Sequence, residues 1–145
     1  MQEKILSIDF GLRRVGVAVS DSLGLLAHDR APLLYHSRHK LLEQLSVIIA
    51  DEDVKKIVVG LPLLMNGTEG EMAVRVREFG NQLAEKVGVP IVLWDERFTS
   101  VQAERLLGER GVTFSRNKGE VDRLAAVFIL QSYLDHLKLQ EKSEN

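Results

Sequence analysis

From Ser37 onward the chain alternates between two hydrophobic periods, and that alternation limits the folds open to it. In "SRHKLLEQLSVIIADED", Leu41, Leu45 and Ile48 recur at helical spacing behind Ser37, a natural N-cap. "KKIVVGLP" follows as a short continuous apolar run, the mark of a buried strand. "NGTEGEM" then supplies a turn at Asn66-Gly67. Thr68 with Glu71 three residues on forms a capping box, opening a helix with Met72, Val76, Phe79, Leu83 and Val87 on one face. "VPIVLWDE" is the next strand, and "TSVQAERLLGERG" the next helix, capped by Thr99 and Gln102 and ended at Gly111. Strands separated by helices pair in parallel through right-handed crossovers, which lay the helices on the faces of the sheet.

Ahead of this alternation, residues 4–10 and 14–20 are apolar runs separated by "GLR", a hairpin in which Gly11 is free to turn left-handed. Residues 27–35 are a third strand, and Pro32 places it at a sheet edge. After the polar stretch "FSRNKG", a last helix runs from about Glu120 to Leu137. The expected fold is therefore α/β: a five-stranded mixed sheet with helices on both faces. With 145 residues, 45% of them hydrophobic, the chain supports one core, so residues 1–138 are expected to form a single domain and 139–145 a frayed tail. Cysteine is absent, which excludes a disulfide framework and thiolate zinc sites. The N-terminal apolar run is too short for a signal or spanning helix, so a cytoplasmic protein without membrane association is expected. A net charge of −2 argues against simple nucleic-acid packaging, although bound metal ions would reverse the balance locally.

In open α/β sheets, ligands gather beyond the carboxyl ends of the parallel strands. Asp9, the pair Gly60 and Pro62, and Asp95-Glu96 all fall at that rim. Asp9 could simply start an Asx-turn onto Gly11 or Leu12. Glu96 could pair with Arg97, and Asp122 could be stabilised by the dipole of its own helix. The company of Asp122 favours an inward position. Ala125, Ala126 and Ile129 share its face, and small residues let a helix approach a sheet closely. Three carboxylates at one rim, with no cysteine, suit a hard cation, Mg²⁺ or Mn²⁺. Such ions activate water and stabilise the leaving oxygen in phosphodiester hydrolysis. His36 and His39 read as surface residues. Arg13, Arg14, Arg97, Arg116, Lys118 and Arg123 surround the rim, where they can grip phosphates.

"IDFGLRRVGVAVSD", "VVGLPLLMNGTEG", "VLWDERFTSVQAERLL" and "VDRLAAVFILQSYLD" resemble the four signature blocks of the YqgF/RuvX family of the ribonuclease H-like superfamily, in the same order and over nearly the entire chain. The resemblance implies that Asp9, Glu96 and Asp122 are the catalytic metal ligands, with Asp95 a weaker candidate. It also implies strand order 3-2-1-4-5 with strand two antiparallel. Finally, it implies a bacterial cytoplasmic endonuclease, acting on the 5′ end of pre-16S ribosomal RNA or on Holliday junctions.

Precursor rRNA, in a ribosomal precursor particle, is the first expected substrate and branched DNA the second. A monomer or weak homodimer is expected. Symmetric cleavage of branched DNA calls for a two-fold dimer, for which the apolar last helix (Val121, Leu124, Val127, Phe128, Leu130, Tyr133, Leu134) would leave a surface; burial under neighbouring helices is the simpler reading of the same pattern. A third possibility is a non-catalytic RNA- or nucleotide-binding assembly factor, because "DFGLRRVGVAV" also looks like the phosphate-binding hairpin of actin-like ATPases. Around the site, Gly11 is expected to serve a tight turn and Gly16 a close backbone or phosphate approach.

Overall fold

The structure is a computed structural model; it describes the backbone of residues 3–97 and 118–144 and the side chains of residues 3–97 and 124–142. The expected helix at 99–111, Thr99 and Arg116 lie outside the described residues. So do the side chains of Lys118, Asp122 and Arg123.

The strands are β1 (Ile5–Asp9), β2 (Arg14–Ser20), β3 (Ala27–Asp29), β4 (Leu33–Leu34), β5 (Lys56–Leu61) and β6 (Ile91–Asp95). The described helices are α1 (Arg38–Asp51), α2 (Glu71–Val87) and the C-terminal helix, here α3 (Lys118–Glu144). The sheet runs β3-β2-β1-β5-β6, with β4 also paired to β2. β2 is antiparallel to β1, while β5 and β6 continue in parallel. This is the expected order and strand sense with one correction. The run 27–35 is two short strands, because Pro32 has no N–H for the ladder and interrupts it. The chain rejoins β2 on either side of the break, through Arg30 N–H to the Val17 carbonyl at 3.0 Å and Tyr35 N–H to the Arg13 carbonyl at 2.9 Å.

Alternation along the strands decides what packs on each face. Leu6, Ile8 and Phe10, with Val15, Val17, Val19, Ile57, Val59 and Leu61, build one core with α1 and α2. The opposite face of β1 carries Ser7 and Asp9, paired in register with Ala18 and Gly16 of β2. Small residues there let α3 lie close: a Cβ on Gly16 would stand 3.4 Å from the Cβ of Ala126. Buried Ser7 donates its hydroxyl to the Ala126 carbonyl at 2.6 Å, and Ser20 accepts from Ile5 N–H at 2.8 Å, so neither buried hydroxyl is left unsatisfied.

The helices correct several local expectations. Ser37 caps α1, accepting from Lys40 N–H, but the buried stripe is Leu41, Leu45 and Ile49, and Ile48 is only half-buried. The Thr68–Glu71 capping box does not form. Gly70 is the N-cap of α2 without a side-chain cap, and Thr68 is instead tied to Asn66. The last helix continues past Leu137 to Glu144. Leu124, Phe128, Leu130, Tyr133 and Leu134 on it are all buried, so these positions offer no open apolar face to a second copy. No helix among the described residues is long and apolar enough to cross a membrane.

Candidate active site

β1 is the central strand and ends in Asp9; β6 ends in Asp95, one residue before Glu96. β5 lies between them. The two acidic side chains therefore have to meet across β5, and Gly60 makes the crossing possible. A Cβ built on Gly60 would come within 2.5 Å of Glu96 Oε1 and 2.6 Å of Ile129 Cδ1. Glu96 N–H extends the β5–β6 ladder by one bond, to the Leu61 carbonyl at 3.1 Å, which fixes the residue over that gap.

The Asp9 and Glu96 carboxyl groups share a hydrogen bond, which requires one of them to carry a proton. Burial is the largest cause of a raised Glu96 pKa; the negative charge of Asp9, the hydrogen bond to it and the charge of Asp95 add to it. Together they push Glu96 up to about 8. An acid pair in this state is short of positive charge. The donor set, two hard carboxylates at a strand-end rim, fits a divalent cation in place of the shared proton.

Asp95 is differently employed. The Arg97 guanidinium forks onto its carboxylate at 2.7–3.1 Å, and Arg97 N–H donates to Asp95 Oδ1 at 2.9 Å, so Asp95 is held below the usual carboxylate range. Arg97 also donates to the Met65 carbonyl at 3.3 Å and thereby joins the end of β6 to the loop after β5. That loop turns at Asn66 and Gly67, the latter at φ +86°, with Asn66 Oδ1 accepting from the Thr68 N–H and hydroxyl. Pro62 lies at its start.

Gly11 takes no left-handed conformation, contrary to expectation; its missing Cβ instead avoids the Arg14 carbonyl oxygen. Gly16 admits the α3 backbone, and the phosphate alternative is not needed to explain it. Arg13 on the β1–β2 turn and Arg14 at the start of β2 are both exposed. Residue 122 lies on α3 one helical turn before Ala126. Two positioning features escaped the sequence reading, the Ser7–Ala126 bond and the Arg97 fork on Asp95. The first was signalled by a lone serine between Leu6 and Ile8.

The family profile described as "RuvX: Holliday junction resolvase" matches residues 3–136. The chain belongs to that family. Among RuvX-family relatives, a candidate pre-16S rRNA nuclease of Agathobacter rectalis is 44% identical over 137 residues, spanning 92% of this chain and 96% of the relative. One of Desulfitobacterium hafniense is 42% identical over 142 residues, spanning 98% of each. A solved structure of T. thermophilus RuvC in complex with Holliday junction substrate superposes with a TM-score of 0.68. It is 14% identical, with 96% of this chain and 97% of RuvC covered. That likeness shows a shared ribonuclease H-like fold, which the sheet order found here shares.

Proposed function

We propose that this RuvX-family chain is a divalent-metal-dependent endonuclease that processes the 5′ end of pre-16S rRNA. The observation that carries the reading is that β1 and β6 deliver Asp9 and Glu96 to one strand-end rim, with Glu96 seated over Gly60 and its carboxyl raised by burial and by the charge of Asp9, a pair of hard ligands with a deficit of positive charge. The names of the relatives, over nearly their full length, support rRNA as substrate. Asp122 is the proposed third ligand, supported by the close seating of α3 at Ala126.

Bound between Asp9, Glu96 and Asp122, Mg²⁺ or Mn²⁺ would lower the pKa of an attacking water and stabilise the departing oxygen. The protein's own part is positional. Gly60 leaves Glu96 room to reach Asp9, the backbone of Leu61 holds Glu96 in line, and Arg97 fixes Asp95 beside it. Arg13, Arg14, Arg116, Lys118 and Arg123 are proposed to hold flanking phosphates, with Arg97 adding charge at the rim. The cytoplasm, where precursor ribosomal particles assemble, is the proposed location.

Asp9→Asn removes an anionic ligand with almost no change in shape. It should abolish cleavage of a pre-16S leader RNA in Mg²⁺ or Mn²⁺ while leaving the circular-dichroism spectrum unchanged. Wild-type rates in a folded Asp9→Asn protein would defeat the reading. The family description favours one alternative substrate, a four-way DNA junction, and preference for it over leader RNA in the same assay would transfer the activity to branched DNA.

A further inference from the structure

Because β5 runs between β1 and β6, the loop that follows it, residues 62–69, rises between the strands that deliver Asp9 and Glu96. For an exposed segment it is tightly fixed. Leu64 N–H donates to the Thr68 carbonyl at 2.9 Å and Gly67 N–H to the Leu64 carbonyl at 2.8 Å, while Leu63 and Glu69 form a β-bridge. Arg77 forks onto Glu69 at 2.6–2.8 Å. From the catalytic side, Arg97 holds both Asp95 and the Met65 carbonyl.

This fixed turn nevertheless presents Met65 with 93% of its surface exposed, beside Leu64 at 54%. The Leu64 side chain lies over Gly70 at the start of α2, 3.5 Å from where a Cβ there would stand, whereas Met65 does not help to hold the turn, whose bonds come from the backbone, Asn66, Thr68, Glu69 and Arg97. An apolar group of this size gains free energy only when something covers it. A methionine thioether is flexible and polarisable, and packs well on a flat π face. The exposed Arg13 and Arg14 supply positive charge to the same rim, as a phosphodiester strand requires, while the charge of Arg97 at the base of the loop is met by Asp95. In a continuous duplex the base faces are already stacked, so only an unpaired base can offer one.

We propose that Met65, supported by Leu64, packs on an unpaired nucleobase next to the phosphodiester held at Asp9 and Glu96, and so selects unpaired RNA over continuous duplex at the cleavage site. This deepens the nuclease reading and rests on it. The contact belongs to the side chain, whereas the bond from Arg97 is to the carbonyl, so substitution of Met65 leaves the loop's attachment in place.

The test uses a leader RNA with 2-aminopurine at the unpaired nucleotide beside the cleavage site, alone or annealed to a complementary strand. Binding is read by fluorescence in an Asp9→Asn background, and cleavage in the wild-type background. Met65→Ala should lower kcat/KM on the unpaired RNA about tenfold, mostly through KM, and remove the fluorescence change. Met65→Leu should restore both, and all variants should share one melting temperature. The proposal is overturned if Met65→Ala matches wild type on the unpaired RNA, or if cleavage of the annealed RNA falls by the same factor. It is equally overturned if the substitution changes oligomeric state and not RNA binding. Failure of the wild-type protein to cleave either RNA would instead bring down the nuclease reading, and this proposal with it.

Discussion

The Glu96 carboxylate occupies the space that a side chain on Gly60 would fill. Gly60→Ala should therefore displace Glu96, and with it Ile129 of α3, at a cost of about 1–3 kcal/mol as an overpacked site. Urea unfolding would read the stability loss. Loss of the Mn²⁺-induced rise in melting temperature would show that the acid pair had been parted.

The metal-free protein should lose stability as pH rises. Folded Glu96 titrates near 8 against an ordinary value of 4.5, so the folded state keeps a proton that the unfolded chain releases. This contribution is complete below about pH 4.5, shrinks as pH rises through 8, and is absent above it. Glu96→Gln should flatten that part of the stability profile. Melting temperatures across the range would check it.

Divalent metal should act in the opposite direction. Binding displaces the shared proton, so Mn²⁺ should raise the melting temperature more at about pH 8 than at about pH 4.5. Asp9→Asn should remove the effect, measured by differential scanning fluorimetry. An equal shift in the variant would locate the metal elsewhere.

Phosphate contacts release counterions, so each one lost should reduce the steepness of the salt dependence by about one unit in a log–log plot. Arg13→Ala should do this, as should the pair Arg116→Ala with Lys118→Ala at twice that size. Filter binding to leader RNA over a salt series would measure it. An unchanged slope would remove the residue from the substrate path.

Ala126→Leu would force α3 away from Gly16 and break the alignment of its carbonyl with Ser7. A stability loss of about 1–3 kcal/mol is expected from overpacking. Cleavage should fall further than stability alone explains, since the same helix carries Asp122. Comparing activity at a temperature where both proteins are fully folded would separate the two effects.

Much of this architecture was legible because strong periodic signals met little competition. The switch from strand to helical period after Ser37 gave the parallel strands, and their ends put Asp9 and Glu96 at one rim. The errors arose where one local preference had a rival. Thr68 could cap α2 or bond Asn66, and the tight Asn66-Gly67 turn put Asn66 within its reach first. Pro32 marks the sheet edge, as the position of β3 shows, but its missing N–H also splits the expected single strand in two. Asp95, the weaker candidate ligand, is a separate case: its charge matches that of Glu96, but its surroundings do not. Only the fold shows Arg97 turned back onto it, a contact two residues away that neither spacing nor composition distinguishes from solvent exposure.

The bond from Ser7 to Ala126 spans 119 positions of the chain and joins its first strand to its last helix. During synthesis, β1 emerges early and carries Asp9, while the helix that covers this face emerges after all the described strands. A growing chain therefore displays Asp9 on a sheet face that stays bare until α3 is free to cover it. On the proposed reading, the ligand position at residue 122 would join Asp9 and Glu96 only once that helix has been made and has docked.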